Sequence, residues 1–301
     1  MTACAIQCLP SATADATRLA ALLNVPIHEI ALHRFPDGEL RVMAGPPATT
    51  TILYAPLDRP NDKLVALLFA AEALRRDGTT RIVLVAPYLC YMRQDSAFRP
   101  GEAISQKTIG RLLAETFDRV ITVDAHLHRT KRIDDVFPGI EAENLSAMPA
   151  IADFLRTAGF DRDAIVIGPD AESEPWVSDL AGRLGLEHAV AHKTRRGDSS
   201  VEIIFADPGA IARRPVFLTD DIVSSGGTLT TCAKALVAAK ATTIDAIVTH
   251  ALFSPELTAD FMRAGIRSIR STSSVPHPSN AIALDTILAD TLRREIAGAK
   301  L

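Results

Sequence analysis

Two adjacent carboxylates, Asp220 and Asp221, close an apolar run in "VFLTDDIVSSGGTLTTCAKAL" (216–236), and a loop of small residues follows at once. Ser224, Ser225, Gly226, Gly227 and Thr228 then lead into a helix-like stretch. Backbone N–H groups of such a loop, its hydroxyls and the positive end of a helix together make a phosphate cradle that needs no lysine. Two carboxylates cannot face that phosphate without repulsion. They suit a sugar attached to it, accepting hydrogen bonds from its hydroxyls. A tight turn with a solvated acidic pair is the plainer alternative. A second cluster, "TVDAHLHRT" (122–130), offers Asp124, His126 and His128 at alternate positions. That spacing is open to a zinc reading and to ordinary structural histidines. Asp170 stands in "IGPDAESEPWV" (167–177), where Glu172 and Glu174 also suit the first turn of a helix. Lys193, Arg195 and Arg196 stand beside Gly197 in "AHKTRRGDSSVEI" (191–203), expected on a mobile loop; a solvated charged turn has the same composition.

The elements that must carry these groups follow a repeating order. "TTILYAP" (50–56), "RIVLVAP" (81–87), "RVITVDA" (119–125), "AIVIGPD" (164–170), "PVFLTDD" (215–221) and "TIDAIVTHALF" (243–253) are short, continuous and β-branched, as parallel strands covered on both faces are. Between them lie helical patterns. "NDKLVALLFAAEALRRDG" (61–78) has Asn61 as its expected N-cap, a stripe through Leu64, Leu67, Leu68, Ala71 and Leu74, and Gly78 beyond its end. "SAMPAIADFLRTAG" (146–159) is expected to be capped by Ser146 and stopped by Gly159, and "DLAGRLG" and "TLTTCAKALVAAKA" are two further helices. The alternation predicts an α/β fold with mainly parallel sheets. It runs through twice, which predicts two similar domains, 1–145 and 146–301. In such sheets ligands collect at the carboxyl ends of strands, where Asp220 and Asp221 fall.

Composition narrows the classes. The chain has 301 residues, ample for two domains, and 48% are hydrophobic but only 5% aromatic, so aliphatic residues must fill the core. A net charge of −4 argues against nucleic acid or a membrane surface as the main partner. The apolar run at 64–71 is too short to span a bilayer, and the start has no basic signal-peptide region. Cys4, Cys8, Cys90 and Cys232 lack metal-type spacing and read as free thiols of a cytoplasmic protein.

"LTDDIVSSGGT" resembles the phosphoribosyl diphosphate (PRPP) loop of phosphoribosyltransferases and of ribose-phosphate pyrophosphokinases. Other segments resemble the second family, in consistent order from about residue 30 to 280. The family's fold would be two phosphoribosyltransferase-type (type I) domains, each a mainly parallel sheet flanked by helices. "HRFPDGELRV" (33–42) is similar to the segment holding adenine and ribose of ATP, which implies Phe35 against the base and Asp37 and Glu39 as acceptors. In the family this segment reaches into a neighbouring subunit's site, which implies at least a dimer. "VAPYLCYMRQDSAFRPGEAISQKTIGRLL" (85–113) implies ATP binding by Arg93 and Gln94. A guanidinium fork suits phosphate oxygens; a surface ion pair of Arg93 with Asp95 is the plainer alternative. The resemblance assigns His126 and Asp170 to magnesium (Mg2+) bound with ATP, Asp220, Asp221 and the loop 224–228 to ribose 5-phosphate, and Lys193 and Arg195 to a catalytic flexible loop. It implies that the N-terminal domain is the ATP side and that the product is PRPP with AMP. The pattern departs from the common one where Ser224 replaces an acid and where Glu172 and Ser173 replace a glycine pair. "RPGEAIS" and "GPDAESEPWV" look closer to a shorter, archaeal-like branch. Two other classes stay open at this level: a phosphoribosyltransferase that consumes PRPP, which would need no ATP segment, and a non-catalytic regulatory relative.

Overall fold

The computed structural model describes residues 2–196 and 200–298, with the side chains of 193–202 and 298 outside the description. The chain divides into two units, residues 1–145 with 284–301, and residues 146–283.

The first unit is built on β1 (Thr2–Cys8), β2 (Ile27–Glu29), β5 (Ala48–Tyr54), β6 (Arg81–Ala86), β7 (Arg119–Val123) and β8 (Glu141–Leu145), with β3 (Ala31–Arg34) and β4 (Leu40–Met43) forming a separate antiparallel hairpin. The six-stranded sheet runs β2-β1-β5-β6-β7-β8, every pair parallel. Ile82 to Ala86 and Val120 to Val123 are fully buried, which is why these runs are continuously apolar rather than alternating. The helices are α1 (Thr13–Leu23), α2 (Pro60–Arg76), α3 (Ser105–Thr116) and, after the second unit, α8 (Asp285–Gly298). The expected stripe on α2 is largely buried, through Leu64, Leu67, Ala71 and Leu74. Its N-cap is Arg59 at φ 47°, not Asn61, because Pro60 takes the first helical position, where a missing N–H costs nothing. Asn61 instead accepts the Tyr91 hydroxyl at 2.5 Å.

The second unit contains β9 (Ile165–Gly168), β10 (Glu187–Arg196), β11 (Ser200–Phe205), β12 (Pro215–Val223), β13 (Thr243–Ala251), β14 (Ser268–Thr272) and β15 (Asn280–Ile282), in the order β11-β10-β9-β12-β13-β14-β15. All pairs are parallel except β10 with β11. Its helices are α4 (Met148–Ala158), α5 (Glu174–Leu184), α6 (Gly227–Ala238) and α7 (Leu257–Arg263). The N-cap of α4 is Ala147, not the expected Ser146, whose Oγ still accepts the Met148 N–H at 3.2 Å from one residue further out, and Gly159 ends that helix at φ 77°.

The last segment does not stay with residues 146–283. Leu284, Leu288, Ala289 and Leu292 are buried, and several ion pairs tie α8 to the first unit, among them Arg18 Nε to Asp285 at 2.6 Å, Arg81 Nε to Glu295 at 2.7 Å, and Arg119 Nη1 to Glu295 at 2.6 Å. The second domain therefore ends at Ala283 and not at 301. All four cysteines are buried and unbridged. Among the described residues no helix is long and apolar enough to cross a membrane.

Candidate active site

The groups expected to do chemistry gather at the carboxyl edge of each sheet. In the second unit Asp220 and Asp221 lie inside β12, which continues to Val223. The turn that follows is very short. Gly226 is the N-cap of α6 at φ 75°, with no side-chain cap, and Thr230 is the first residue whose N–H bonds back, to Gly226 O at 2.9 Å. The preceding N–H groups of that first turn are the ones a helix leaves without carbonyl partners. Ser224 and Thr228 are half-buried around them, and Ser225 and Gly227 are exposed. Small residues thus surround the N–H groups that open α6.

Asp170 follows β9, the strand beside β12. It caps the turn Ala171–Ser173, accepting the Glu172 N–H at 3.2 Å. Gly168 just before it permits this close turn, since a Cβ there would meet Ser173 Oγ at 1.9 Å. Burial, then the charges of Asp221 and Asp170, hold the Asp220 carboxyl well above the usual carboxylate range. Asp220 Oδ1 accepts the Asp221 N–H at 3.0 Å, and Asp221 Oδ1 accepts the Ile222 N–H at 2.7 Å. Asp170, in the loop after β9, thus adds its charge to the acid pair of β12, a setting that favours a hydroxyl donor or a cation.

Lys193 and Arg195 fall on β10, where their backbones pair with Ile203 and Val201 of β11. The expected loop is therefore a strand hairpin over these residues. Their side chains lie outside the described residues, as do Gly197 to Ser199 entirely.

In the first unit the loops after β6 and β7, two neighbouring strands, carry Arg93, Gln94 and His126. Asp95 does not pair with Arg93. It accepts the Arg129 N–H at 3.0 Å and Arg129 Nη1 at 2.8 Å, and Arg129 also stacks over Phe98 at 5.3 Å. Burial raises the Asp95 carboxyl, but the Arg129 bonds outweigh it and hold it below the usual range. Arg93 is left exposed and without a hydrogen bond or ion pair among the described residues. His126 is half-buried, its ring 4.7 Å from that of His128. It follows Asp124, held at φ 38° with its N–H on Leu145 O at 2.8 Å. Gln94 Nε2 reaches Ser96 O at 3.2 Å.

Phe35, Asp37 and Glu39 sit at the exposed tip of the β3–β4 hairpin. Its turn is closed by Phe35 N–H to Glu39 O and Gly38 N–H to Phe35 O, both 2.9 Å, and His33 meets Phe35 edge to face at 4.8 Å. Among the described residues no three His, Cys, Asp or Glu side chains converge as a ready metal-ligand set. His126 and Asp170 belong to different units.

Asp95–Arg129 escaped the sequence reading because nothing local links residues 34 positions apart. The two aromatic rings beneath Gly226, Phe253 and Phe261, escaped it for the same reason.

Two parallel-sheet units, one presenting a small-residue anion loop directly after a paired-acid strand, define a protein of phosphoribosyltransferase type. The family models agree unit by unit: the N-terminal domain of ribose phosphate pyrophosphokinase matches residues 5–116, and the phosphoribosyl transferase domain matches residues 142–271. The chain belongs to the ribose-phosphate pyrophosphokinase family. It is 30% identical to the ribose-phosphate pyrophosphokinase of Methanopyrus kandleri over 91% of this chain and 94% of that one. It is 31% identical to ribose-phosphate pyrophosphokinase 2 of Archaeoglobus fulgidus, over 94% and 98%. The solved phosphoribosylpyrophosphate synthetase of Mycobacterium smegmatis shares the fold, with a TM-score of 0.84 at 24% identity over 98% of this chain and 99% of its own.

Proposed function

We propose that the chain transfers the diphosphoryl group of Mg-ATP to the anomeric hydroxyl of ribose 5-phosphate, giving PRPP and AMP, with the sugar phosphate held in the second unit and the nucleotide in the first. The observation that carries the sugar half is the small-residue turn at 224–228, which follows Asp220 and Asp221 and opens α6. The 5-phosphate takes the N–H groups and hydroxyls of Ser224, Ser225, Gly226, Gly227 and Thr228. Asp220 and Asp221 accept from the ribose hydroxyls and so orient the anomeric oxygen. Arg93, without a hydrogen bond or ion pair among the described residues, donates to the triphosphate, with Gln94 beside it. Phe35, Asp37 and Glu39 take the base and ribose of ATP. Their exposure on a projecting hairpin suits a site completed by a second subunit, so the working form is at least a homodimer, and the compartment is the cytoplasm.

The acid edge of β12 fits magnesium: the raised Asp220 carboxyl marks an excess of negative charge that a divalent cation relieves, and oxygen donors suit this ion. Asp170 is the residue of the second unit that would hold it, and His126 is the candidate magnesium ligand of the first unit, through water. When bound, the ion neutralises charge on the phosphoryl oxygens. The protein's own part is positioning and charge stabilisation, as in other phosphoryl transfers. Lys193 and Arg195 meet charge developing on the transferred group, and exclusion of water by their hairpin prevents ATP hydrolysis.

The deciding experiment is AMP formation from ATP with and without ribose 5-phosphate. AMP that depends on the sugar phosphate, together with PRPP, supports the reading. PRPP consumption in the presence of a free base, with no AMP formation, would replace it with phosphoribosyl transfer.

A further inference from the structure

Beneath the anion loop lies an aromatic stack to which none of the loop's residues belongs. A Cβ on Gly226 would fall 2.4 Å from Phe261 Cε1 and 2.6 Å from Cζ, so the ring is in direct contact with the loop backbone. Phe261, on α7, is 1% exposed. Phe253, 3% exposed, meets it edge to face with centroids 5.1 Å apart. His277 packs on Phe253 at 4.4 Å. Both nitrogens of His277 are committed: Nδ1 accepts the Ser279 N–H at 3.1 Å, which leaves Nε2–H to donate to Phe253 O at 3.1 Å. The neutral ring is thereby fixed, and burial moves its pKa in the same direction. Leu252 N–H to Val223 O, at 2.8 Å, ties the segment leading into Phe253 to the strand leading into the loop.

We propose that Phe261, backed by Phe253 and His277, is the floor that sets the height of the 224–228 loop, which makes these three residues positioning determinants for the sugar phosphate. The inference deepens the reading of this loop as the ribose 5-phosphate site and rests on it. An anion held by backbone N–H groups depends on their aim. The left-handed Gly226 lets the backbone lie flat on the ring, and the ring stops it from sinking into the core. A smaller side chain at 261 removes dispersion contacts and leaves space the loop can settle into. The N–H groups then point past the phosphate, and small misplacements of this kind carry large penalties.

The test uses the full-length protein and calorimetric titration with ribose 5-phosphate, inorganic phosphate and ATP. Phe261→Leu should weaken ribose 5-phosphate and inorganic phosphate about tenfold, well inside what a misplacement of about 1 Å can cost. Phe261→Met, whose side chain is about the size of leucine, should weaken both to a similar degree. His277→Ala, which removes only the backing, should weaken the sugar phosphate about threefold and keep a cooperative melt even if Phe261→Leu is poorly folded. ATP affinity should be unchanged in all three. Unchanged ribose 5-phosphate affinity in both Phe261→Leu and His277→Ala overturns the floor. So do equal losses for ATP and sugar phosphate, because general loosening would give that result. If the wild-type protein fails to bind ribose 5-phosphate, the proposal falls together with the assignment of the loop.

Discussion

Arg119 Nη1 donates to Glu295 Oε1 at 2.6 Å across 176 residues of sequence, with the arginine fully buried. The same carboxylate receives Arg81. A buried guanidinium stripped of its acid costs about 3–5 kcal/mol, but Arg119 Nη2 also donates to Glu143 at 2.8 Å, so the loss of Glu295 unpairs it only in part. Glu295→Ala should lower stability by up to that amount in urea unfolding of the whole chain. Burial would raise the Glu295 carboxyl, but Arg81 and Arg119 outweigh it and its pKa lies below the ordinary value. A depressed carboxylate contributes stability above its unfolded pKa and loses it as pH falls through the folded one. The difference between wild type and Glu295→Ala should therefore be full at pH 7 and shrink below about pH 4.

Asp220 has the opposite sign. Its carboxyl is raised by burial and by Asp221 and Asp170, so the folded state holds a proton that the unfolded state releases. Stability from this group is complete below the unfolded pKa and is lost as pH rises through the folded one. Asp220→Asn should leave the melting temperature unchanged near pH 4 and raise it progressively towards pH 8. The same variant should weaken ribose 5-phosphate by about 1–3 kcal/mol, the scale of an acceptor lost from a buried hydrogen bond. A melting profile parallel to wild type would remove the charge repulsion from the account.

Arg93 and Asp95 are neighbours in sequence with different tasks. Arg93 is exposed and unpaired among the described residues, so Arg93→Ala should change folding stability by less than about 0.5 kcal/mol while raising the KM for ATP about tenfold or more. The Asp95 side chain is only 1% exposed and holds Arg129. Asp95→Ala should cost about 1–3 kcal/mol of stability. Steady-state kinetics beside denaturant titration separates the two, and equal stability losses would count against the free guanidinium.

Lys193→Ala should cut kcat by about 10²-fold or more, as the loss of one transition-state donor does, with ATP and ribose 5-phosphate still bound at similar affinity. Single-turnover rates beside equilibrium binding check it. A near-wild-type rate would return this segment to a solvated charged turn.

The sequence made legible what short-range chemistry dictates. Six of the strands are continuous apolar runs, and the cradle at 224–228 is marked by small residues after two acids. Gly226 and Gly159 are where the backbone needs positive φ. What stayed hidden depends on partners far apart in the chain. Thr2–Cys8 becomes an inner strand because β2 and β5 flank it, yet its own residues carry little strand signal. Asn61 lost its cap role to the Pro60 position. The tail looked like a continuation of the second repeat, since the pairing of Arg119 with Glu295 leaves no trace in local pattern. The contact of Phe261 with Gly226 left no trace either, because the two lie 35 positions apart in the chain.

The return of α8 to the first unit has a consequence for synthesis. Residues 146–283 form one uninterrupted stretch, so a ribosome delivers everything the second unit needs in a single pass. The first unit emerges earlier but stays open, its cover for Arg119 and the surface that will take Leu288 and Leu292 not yet made. The nascent chain thus carries a completed later unit while an earlier one still waits for its last helix. Protection by chaperones should matter most in that interval, and a chain released before residue 284 should be the species that cells clear fastest.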